Sequence, residues 1–227
     1  STKTANTPVK LVVQAAVQRS SRHGTKDTNY DLRRFVVADG KMTLVETVPS
    51  LGFADDVRAL LQFSNSRYPA KNLGLLVDSH GMGNEGLQGD TGKVLLPQLA
   101  GAIAEGLKGT GHEKLDLLDF DSCLMGQDGV LNTMQTIAKH LVASPEIEGT
   151  EGQFLIAPVE RLLVDPSKDG GALGRDLVQE AKVIGQRSAT AKKLGPIETL
   201  ACYNLSEFST FKKSLDEFGQ QLHEALN

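Results

Sequence analysis

Short continuous apolar runs alternate along the chain with segments of helical spacing. Five runs predict buried strands: 9–17, 73–79, 114–122, 140–144 and 197–205. The run at 73–79, "LGLLVDS", is apolar at nearly every position, which is typical of a strand that a parallel sheet buries on both faces. The pattern therefore predicts a sheet whose strands come from the whole length of the chain.

Apolar residues three and four positions apart predict helices between these strands. We expect Ser50 to cap the first helix and Ser206 to cap the last one. The predicted helices start after Ser50 and cover 96–109, 124–140, 153–164, 172–187 and 206–226.

Two further features complete the predicted fold. The segment 33–48 predicts a β-hairpin that turns at Asp39-Gly40. The alternation of strands and helices predicts an α/β fold with a mostly parallel central sheet flanked by helices. A chain of 227 residues can bury one core, so we expect a single domain over 1–227, with flexible residues at 1–7.

Composition excludes several classes of function. The chain has 28 acidic and 24 basic residues, a formal charge of −4 and no block of like charge, which excludes nucleic acid as the main partner. No apolar stretch is long enough to predict a membrane span. The start, "STKTANTPVK", has no hydrophobic signal core and no initiator Met, which is typical of a mature or trimmed form. We expect a monomer.

The stretch "LGLLVDSHGMGNEG" raises a nucleotide-binding hypothesis. Glycines 81, 83 and 86 form a G-x-G-x-x-G pattern, which binds a pyrophosphate only if a helix begins inside the glycine loop. The pattern continues into "LQGDTGK", which is rich in turn residues, so we predict an exposed loop over 84–95 instead of a helix. A nucleotide-binding α/β protein remains an alternative that this continuation disfavours.

A histidine and a cysteine each follow a predicted strand. His80 comes after the strand at 73–79, and Cys123 comes after the strand at 114–122. Ligands of parallel sheets bind at the carboxyl ends of strands. A free thiol has a pKa of about 8.5 and needs a nearby base to act as a nucleophile. We expect the dipole of the helix predicted at 124–140 to favour the Cys123 thiolate further.

The remaining cysteine and histidines give no evidence for a catalytic or metal-binding site. Cys202 lies inside a strand pattern and is interpreted as a core thiol, and two cysteines make no disulfide framework. No pair of histidines has the spacing of metal ligands, so no metal site is expected. No G-x-S-x-G motif supports a serine hydrolase. A structural role for His80, as a polar residue that ends a strand, remains open at this point.

Two motifs together resemble a known superfamily. The blocks "LGLLVDSHG" and "LDLLDFDSC" resemble the caspase-like cysteine peptidases, and "DFDSCLMG" resembles the clostripain family most closely. The resemblance implies a caspase-like fold and a Cys–His dyad, with Cys123 as the nucleophile and His80 as the acid and base. The N–H groups of Gly81 and Cys123 would then form the oxyanion hole.

The resemblance also implies a specificity pocket and processing. Asp121 would line a pocket for Arg or Lys, Ser144 would form a wall of this pocket, and Glu151 is a candidate for a second acid. Several relatives cut themselves after a basic residue between the catalytic histidine and cysteine, and Lys93 is the candidate here. The resemblance further implies bacterial secretion or surface display. Calcium dependence occurs in some relatives, but no calcium loop is evident here and no cofactor is predicted.

This chain departs from the family pattern at two places. It reads "VDSHG" without the Trp that usually precedes the histidine motif, and Asp119 stands where a small or apolar residue is expected. Neither departure removes a catalytic group. The sequence therefore predicts a cysteine endopeptidase that cleaves proteins or peptides after Arg or Lys. The alternative is a caspase-like binding module without activity, which the presence of both His80 and Cys123 disfavours.

Overall fold

The computed structural model describes residues 9–19, 30–38, 41–147, 156–187 and 199–226. Ten strands and six α-helices lie in these ranges. The strands are β1 (Leu11–Gln18), β2 (Tyr30–Ala38), β3 (Lys41–Pro49), β4 (Gly74–Asp78), β5 (His80–Gly81), β6 (Leu87–Gly89), β7 (Gly92–Val94), β8 (Leu117–Asp121), β9 (His140–Ala143) and β10 (Ala201–Asn204). The helices are α1 (Phe53–Arg67), α2 (Leu96–Leu107), α3 (Asp128–Met134), α4 (Ile156–Val164), α5 (Gly170–Arg187) and α6 (Phe208–Leu226).

The central sheet has the order β10-β9-β8-β4. Strands β4, β8 and β9 are parallel, and β10 runs antiparallel to β9. This arrangement confirms the predicted α/β fold with a mostly parallel central sheet. It also places the carboxyl ends of β4, β8 and β9 at one edge of the sheet.

The two faces of the central sheet are covered differently. One face carries Leu75 and Val77 of β4 and Phe120 of β8, which pack into the main core with α1, α2 and α3. On the other face, α5 packs its Leu177 against Leu117 of β8 and Val142 of β9. The expectation that β4 is buried on both faces is wrong: its residues alternate between buried and exposed, and Leu76 is 36% exposed. The reason is its place as the last strand of the described sheet, beyond the strands that α5 covers.

The N-terminal strands form a sheet of their own. Strands β1, β2 and β3 make an antiparallel meander, and the pair Ala38↔Lys41 confirms the hairpin, although its turn at 39–40 lies outside the described residues. The first strand was expected to be buried, but β1 is only half-buried because it lies at the edge of this sheet. Arg34 of β2 attaches the sheet to α1 by placing its guanidinium 4.9 Å from the centre of the Phe63 ring.

Both predicted serine caps are wrong. The N-cap of α1 is Gly52, and Ser50 instead donates a hydrogen bond from its hydroxyl to the buried carboxylate of Asp56. Before α6, a 3₁₀ turn (Leu205–Glu207) intervenes, and the side chain of Asn204 accepts the N–H of Ser206. In both places the serine hydroxyl donates to a neighbouring side-chain oxygen, that of Ser50 to Asp56 and that of Ser206 to Asn204.

The segment 124–140 is helical only in its middle. Residues 123–126 form a turn, and α3 covers Asp128–Met134 alone. The apolar residues that suggested a longer helix, Met125 and Ile137, are buried in the core from turns instead. Cys123 therefore does not begin a helix, and the helix dipole cannot favour its thiolate as we expected.

The predicted exposed loop at 84–95 is wrong. After a 3₁₀ turn (Gly83–Glu85), strands β6 and β7 form a hairpin that pairs with β5 as a second small sheet. Leu87 and Val94 alternate inward in this hairpin and are 0% and 1% exposed. Turn residues at its tip concealed a strand pattern of only three residues on each side.

Candidate active site

Two parallel strands bring His80 and Cys123 to the same edge of the central sheet. Asp78 and Asp121 are register partners at the ends of β4 and β8. The ladder continues beyond them, because Ser79 N–H donates to the carbonyl of Asp121 at 3.4 Å and the hydroxyls of Ser79 and Ser122 lie 3.2 Å apart. His80 and Cys123 follow directly, with the same sequence offset as these pairs.

His80 is held by the small sheet. It pairs with Gln88 through β5 and β6, so the buried hairpin fixes the backbone that carries the imidazole. His80 itself is exposed, which leaves the residue open to solvent. The hairpin is thus the support of the candidate base.

Gly81 touches the backbone of Cys123. A Cβ added at Gly81 would lie 1.8 Å from the carbonyl oxygen of Cys123 and 3.0 Å from its nitrogen. Only glycine permits this approach of the two backbones. The other glycines of the pattern, Gly83 and Gly86, have φ angles of 59° and 102° in the turn that leads to the hairpin. The G-x-G-x-x-G pattern therefore has structural causes, and no α-helix begins inside it.

The turn of residues 123–126, here named the Cys123 turn, carries the candidate nucleophile. Cys123 is half-buried. The next residue, Leu124, has a φ of 65°, and it is the one residue other than glycine with a positive φ among the described parts of the chain. Its N–H donates to the carbonyl of Glu146 at 3.0 Å, and Gly126 N–H donates to the carbonyl of Ser144 at 2.7 Å.

Asp121 lies partly buried beneath Cys123 at the end of β8. Burial, and secondly the negative charge of Asp78, raise its pKa from 3.8 to about 6. The carboxyl group is therefore mostly ionised at neutral pH, and a nearby cation would favour the ionised form. Asp119, two residues earlier, occupies the same face of β8 and is 7% exposed.

The end of β9 adds Ser144 to this edge. Ser144 is 0% exposed, and its Oγ accepts the N–H of Glu146 at 3.1 Å and lies 2.7 Å from the hydroxyl oxygen of Thr199. The predicted wall of the pocket is thus a buried residue that belongs to the support of the Cys123 turn.

The comparisons with known proteins agree with this geometry. The model of the clostripain family matches residues 45–227, from within β3 to the end of the chain. The chain belongs to the clostripain family. None of the curated proteins matches the sequence.

Solved structures similar to this clostripain-family chain are bacterial cysteine proteases. A secreted C11 cysteine protease from Bacteroides thetaiotaomicron, "iotapain", superposes with a TM-score of 0.67 at 16% identity, covering 92% of this chain and 60% of that one. The protease from the same organism in complex with an irreversible peptide inhibitor gives 0.60 at 18% identity, covering 87% and 57%. These similarities confirm the caspase-like fold.

A third similar structure is an inactive zymogen. This C11 protease from Parabacteroides distasonis superposes with a TM-score of 0.57 at 16% identity, covering 88% of this chain and 53% of that one. The present chain spans 60% or less of the length of each of the three neighbours.

Two further residues predicted for this clostripain-family site lie apart from the dyad or outside the described ranges. Lys93 is on β7, opposite Gln88, and its ammonium lies 3.2 Å from the carboxylate of Glu85. Its side chain is 43% exposed. Glu151 lies outside the described residues.

Cys202 has the surroundings of a structural thiol. It packs against the cluster of Leu117, Val142 and Leu177, and a Cβ on Gly174 would lie 2.5 Å from its sulfur. Burial raises the pKa of the Cys202 thiol, which keeps it protonated.

Sequence reasoning missed three groups that lie near His80 and Cys123. These are Asp78, the Ser79–Ser122 pair and the backbone of Glu146. The constant offset between "DSH" and "DSC" could have revealed the first two, because residues of equal offset on parallel strands become neighbours. No local signal announces the contact with Glu146, which depends on the path of the chain after β9.

Within the described ranges, no three His, Cys, Asp or Glu side chains are grouped as metal ligands. None of the described helices combines the length and apolar character needed to cross a membrane.

Proposed function

We propose that this clostripain-family protein is a cysteine endopeptidase in which Cys123 is the nucleophile and His80 the general acid and base. The observation that carries the proposal is the parallel pair β4–β8, whose ladder extends through the Ser79 and Ser122 hydroxyls to the residues that bear the imidazole and the thiol. A nucleophile and a base on separate strands must meet for such catalysis.

The reaction follows from these groups. His80 takes the proton of the Cys123 thiol, and the sulfur forms a bond to the carbonyl carbon of the scissile peptide. The N–H groups of Gly81 and Cys123 bind the resulting oxyanion. The C–N bond then breaks as His80 returns the proton to the leaving amine, and water, deprotonated by His80, hydrolyses the thioester.

A basic side chain of the substrate fits the charge of the site. Asp121 is a partly buried carboxylate two residues before the nucleophile, and Asp78 lies beside it. A cation about 4 Å from one carboxylate gains roughly 4 kcal/mol at an effective dielectric constant of about 20, before desolvation is subtracted. Even half of this favours Arg or Lys by more than about tenfold. Glu151 is proposed as a second acid. Ser144, which is buried, is proposed to support the backbone beside the pocket and not to contact the basic side chain.

Variants of the dyad test the proposal. Cys123→Ala should abolish hydrolysis of a fluorogenic peptide amide with Arg before the cleaved bond, and His80→Ala should lower it by about 10³-fold or more, since the two groups act as a unit. Cys202→Ala is the matched control, and it should keep nearly all activity. Activity that survives in Cys123→Ala but not in Cys202→Ala would overturn the assignment.

Covalent labelling separates the enzyme from an inactive binding module. A peptidyl chloromethyl ketone with an Arg side chain should alkylate the wild type once, at Cys123, as located by peptide mass spectrometry. A neutral analogue should react more slowly. A wild type that neither hydrolyses the amide nor reacts with the basic ketone would favour the module.

Self-processing at Lys93 is a second proposal at this site. Lys93 is exposed but lies on a paired strand, so cleavage requires the β6–β7 hairpin to open locally. Intact mass spectrometry should show a cut after Lys93 in the wild type and an uncut chain in both Cys123→Ala and Lys93→Gln. A cut that is also present in Cys123→Ala would show that another protease makes it.

The proposal also covers the partners, the oligomeric state and the location of the protein. We infer that its partners are protein or peptide substrates, that it acts as a monomer, and that it works outside a bacterial cell or on its surface. Two of the structural neighbours are described as secreted, which supports the last point.

A further inference from the structure

The Cys123 turn adopts a backbone conformation that it would not keep by itself. Leu124, the residue after the nucleophile, has a φ of 65°. A side chain with a Cβ is unfavourable in this left-handed region, and such residues persist only where their surroundings hold them. The surroundings of this turn therefore decide where the Cys123 thiol points.

Residues 144–146 hold the turn from the end of β9. The carbonyl of Glu146 accepts the N–H of Leu124 at 3.0 Å, and the carbonyl of Ser144 accepts the N–H of Gly126 at 2.7 Å. Contact is close, since a Cβ on Gly126 would lie 2.6 Å from the nitrogen of Pro145. Any shift of residues 144–146 is thus transmitted to the Cys123 turn.

The hydroxyl of Ser144 in turn holds residues 144–146. It accepts the N–H of Glu146 at 3.1 Å, lies 3.3 Å from the carbonyl oxygen of Glu146, and lies 2.7 Å from Thr199 Oγ1. One hydroxyl group thereby closes the bend after β9 and connects it to the segment that leads into β10. Its side chain is fully buried, so water cannot replace these bonds.

We propose that Ser144 is a positioning residue for the nucleophile, which it holds in place through residues 144–146 with the help of Thr199. This inference rests on the proposed role of Cys123. It assigns Ser144 to the placement of the thiol and not to recognition of the substrate side chain, so its loss should lower kcat and leave KM nearly unchanged.

The experiment measures kcat per titrated active site, KM and Tm for a set of variants on the fluorogenic Arg amide. Ser144→Ala should lower kcat by about tenfold to 100-fold, since a small displacement of a reacting group costs rate on that order. Thr199→Val should lower kcat by a smaller factor. Thr199→Ser, which keeps the hydroxyl, should restore the wild-type value. Thr199 is exposed, so its variants should fold and test the inference through kcat even if Ser144→Ala does not fold.

Thr110→Val is the matched control. The Thr110 hydroxyl also bridges two backbone groups of a turn, as it donates to the carbonyl of Leu107 and accepts the N–H of His112, but it lies at the opposite end of the sheet. This variant should lower Tm without changing kcat.

Three results would overturn the inference: unchanged kcat in Ser144→Ala, equal kcat in Thr199→Val and Thr199→Ser, or an equal loss of kcat in Thr110→Val. Cys123→Ala in the same assay separates this inference from the proposed function. If Cys123→Ala is active, the proposed function fails and the inference with it. If Cys123→Ala is inactive while the Ser144 and Thr199 variants match the wild type, only the inference fails.

Discussion

At the scale of single residues, the ionisation of Asp121 links the proposed specificity for basic side chains to the stability of the folded protein. Its pKa is about 6 in the folded protein against an ordinary value of 3.8, because burial and the neighbouring Asp78 disfavour the charge. At pH values below both pKa values, the carboxyl group is protonated in the folded and the unfolded chain and does not lower the free energy of unfolding. As the pH rises through this window, the folded protein keeps a proton that the unfolded chain loses, so stability falls and the full cost remains above about pH 6.

Asp121→Asn should therefore act in opposite directions on stability and activity. At about pH 8 its Tm should exceed that of the wild type. This advantage should be smaller at about pH 4.5, because that pH is only slightly above 3.8, where the unfolded chain begins to lose the proton that the folded protein keeps. Cleavage after Arg should fall by about 100-fold or more at the same time. Thermal melts at the two pH values, beside amide hydrolysis, measure both. A variant that is less stable than the wild type and still cleaves Arg substrates would contradict the proposal that Asp121 lines a pocket for a basic side chain.

The activity of the wild type on Arg substrates should decline as the pH falls through about 6, as Asp121 takes up a proton. Asp78→Asn removes the second cause of the raised pKa, so the decline should move to lower pH. An unchanged inflection in Asp78→Asn would assign the decline to another group.

The β6–β7 hairpin is the element that supports the candidate base. Its Leu87 is 0% exposed and sits opposite Gly81, next to His80. Leu87→Ala should lower the free energy of unfolding by about 2–5 kcal/mol and also lower kcat, because the cavity loosens the strand paired with β5. Leu95→Ala is the control, since Leu95 is 46% exposed just beyond the hairpin. Denaturant unfolding and steady-state kinetics test this, and a Leu87→Ala variant with wild-type kcat would contradict the supporting role.

At the scale of the whole molecule, α6 presents an apolar stripe that the described chain leaves uncovered. About half or more of each side chain in this stripe is exposed: Phe211 56%, Leu215 48%, Phe218 61% and Leu222 48%. Phe208, at the start of the helix, is only 7% exposed. Phe208→Ala should cost about 3–5 kcal/mol of unfolding free energy. Phe218→Ser should change it by less than about 0.5 kcal/mol. Urea titrations of the two variants compare these costs, and a large loss in Phe218→Ser would show that the stripe is buried in solution.

The sequence by itself determined the α/β class and the pair of strand-end motifs that carry His80 and Cys123. This was possible because the strands of the central sheet are short apolar runs between segments of helical spacing, and because a thiol nucleophile and its base are specific residue types that follow two of these runs. The close approach of Gly81 to Cys123 is also visible in the sequence, because only glycine can occupy position 81 next to this backbone.

Only the tertiary structure decided how the site is supported. The hairpin after His80 has three-residue strands, too short for a periodic signal, and the Cys123 turn resembles a helix start in its apolar pattern. Leu124 keeps its left-handed backbone through contacts with residues 144–146, and Asp121 owes part of its raised pKa to Asp78 on a neighbouring strand. These contacts join residues that are distant in the chain, so they depend on how β4, β8 and β9 align and not on any local pattern.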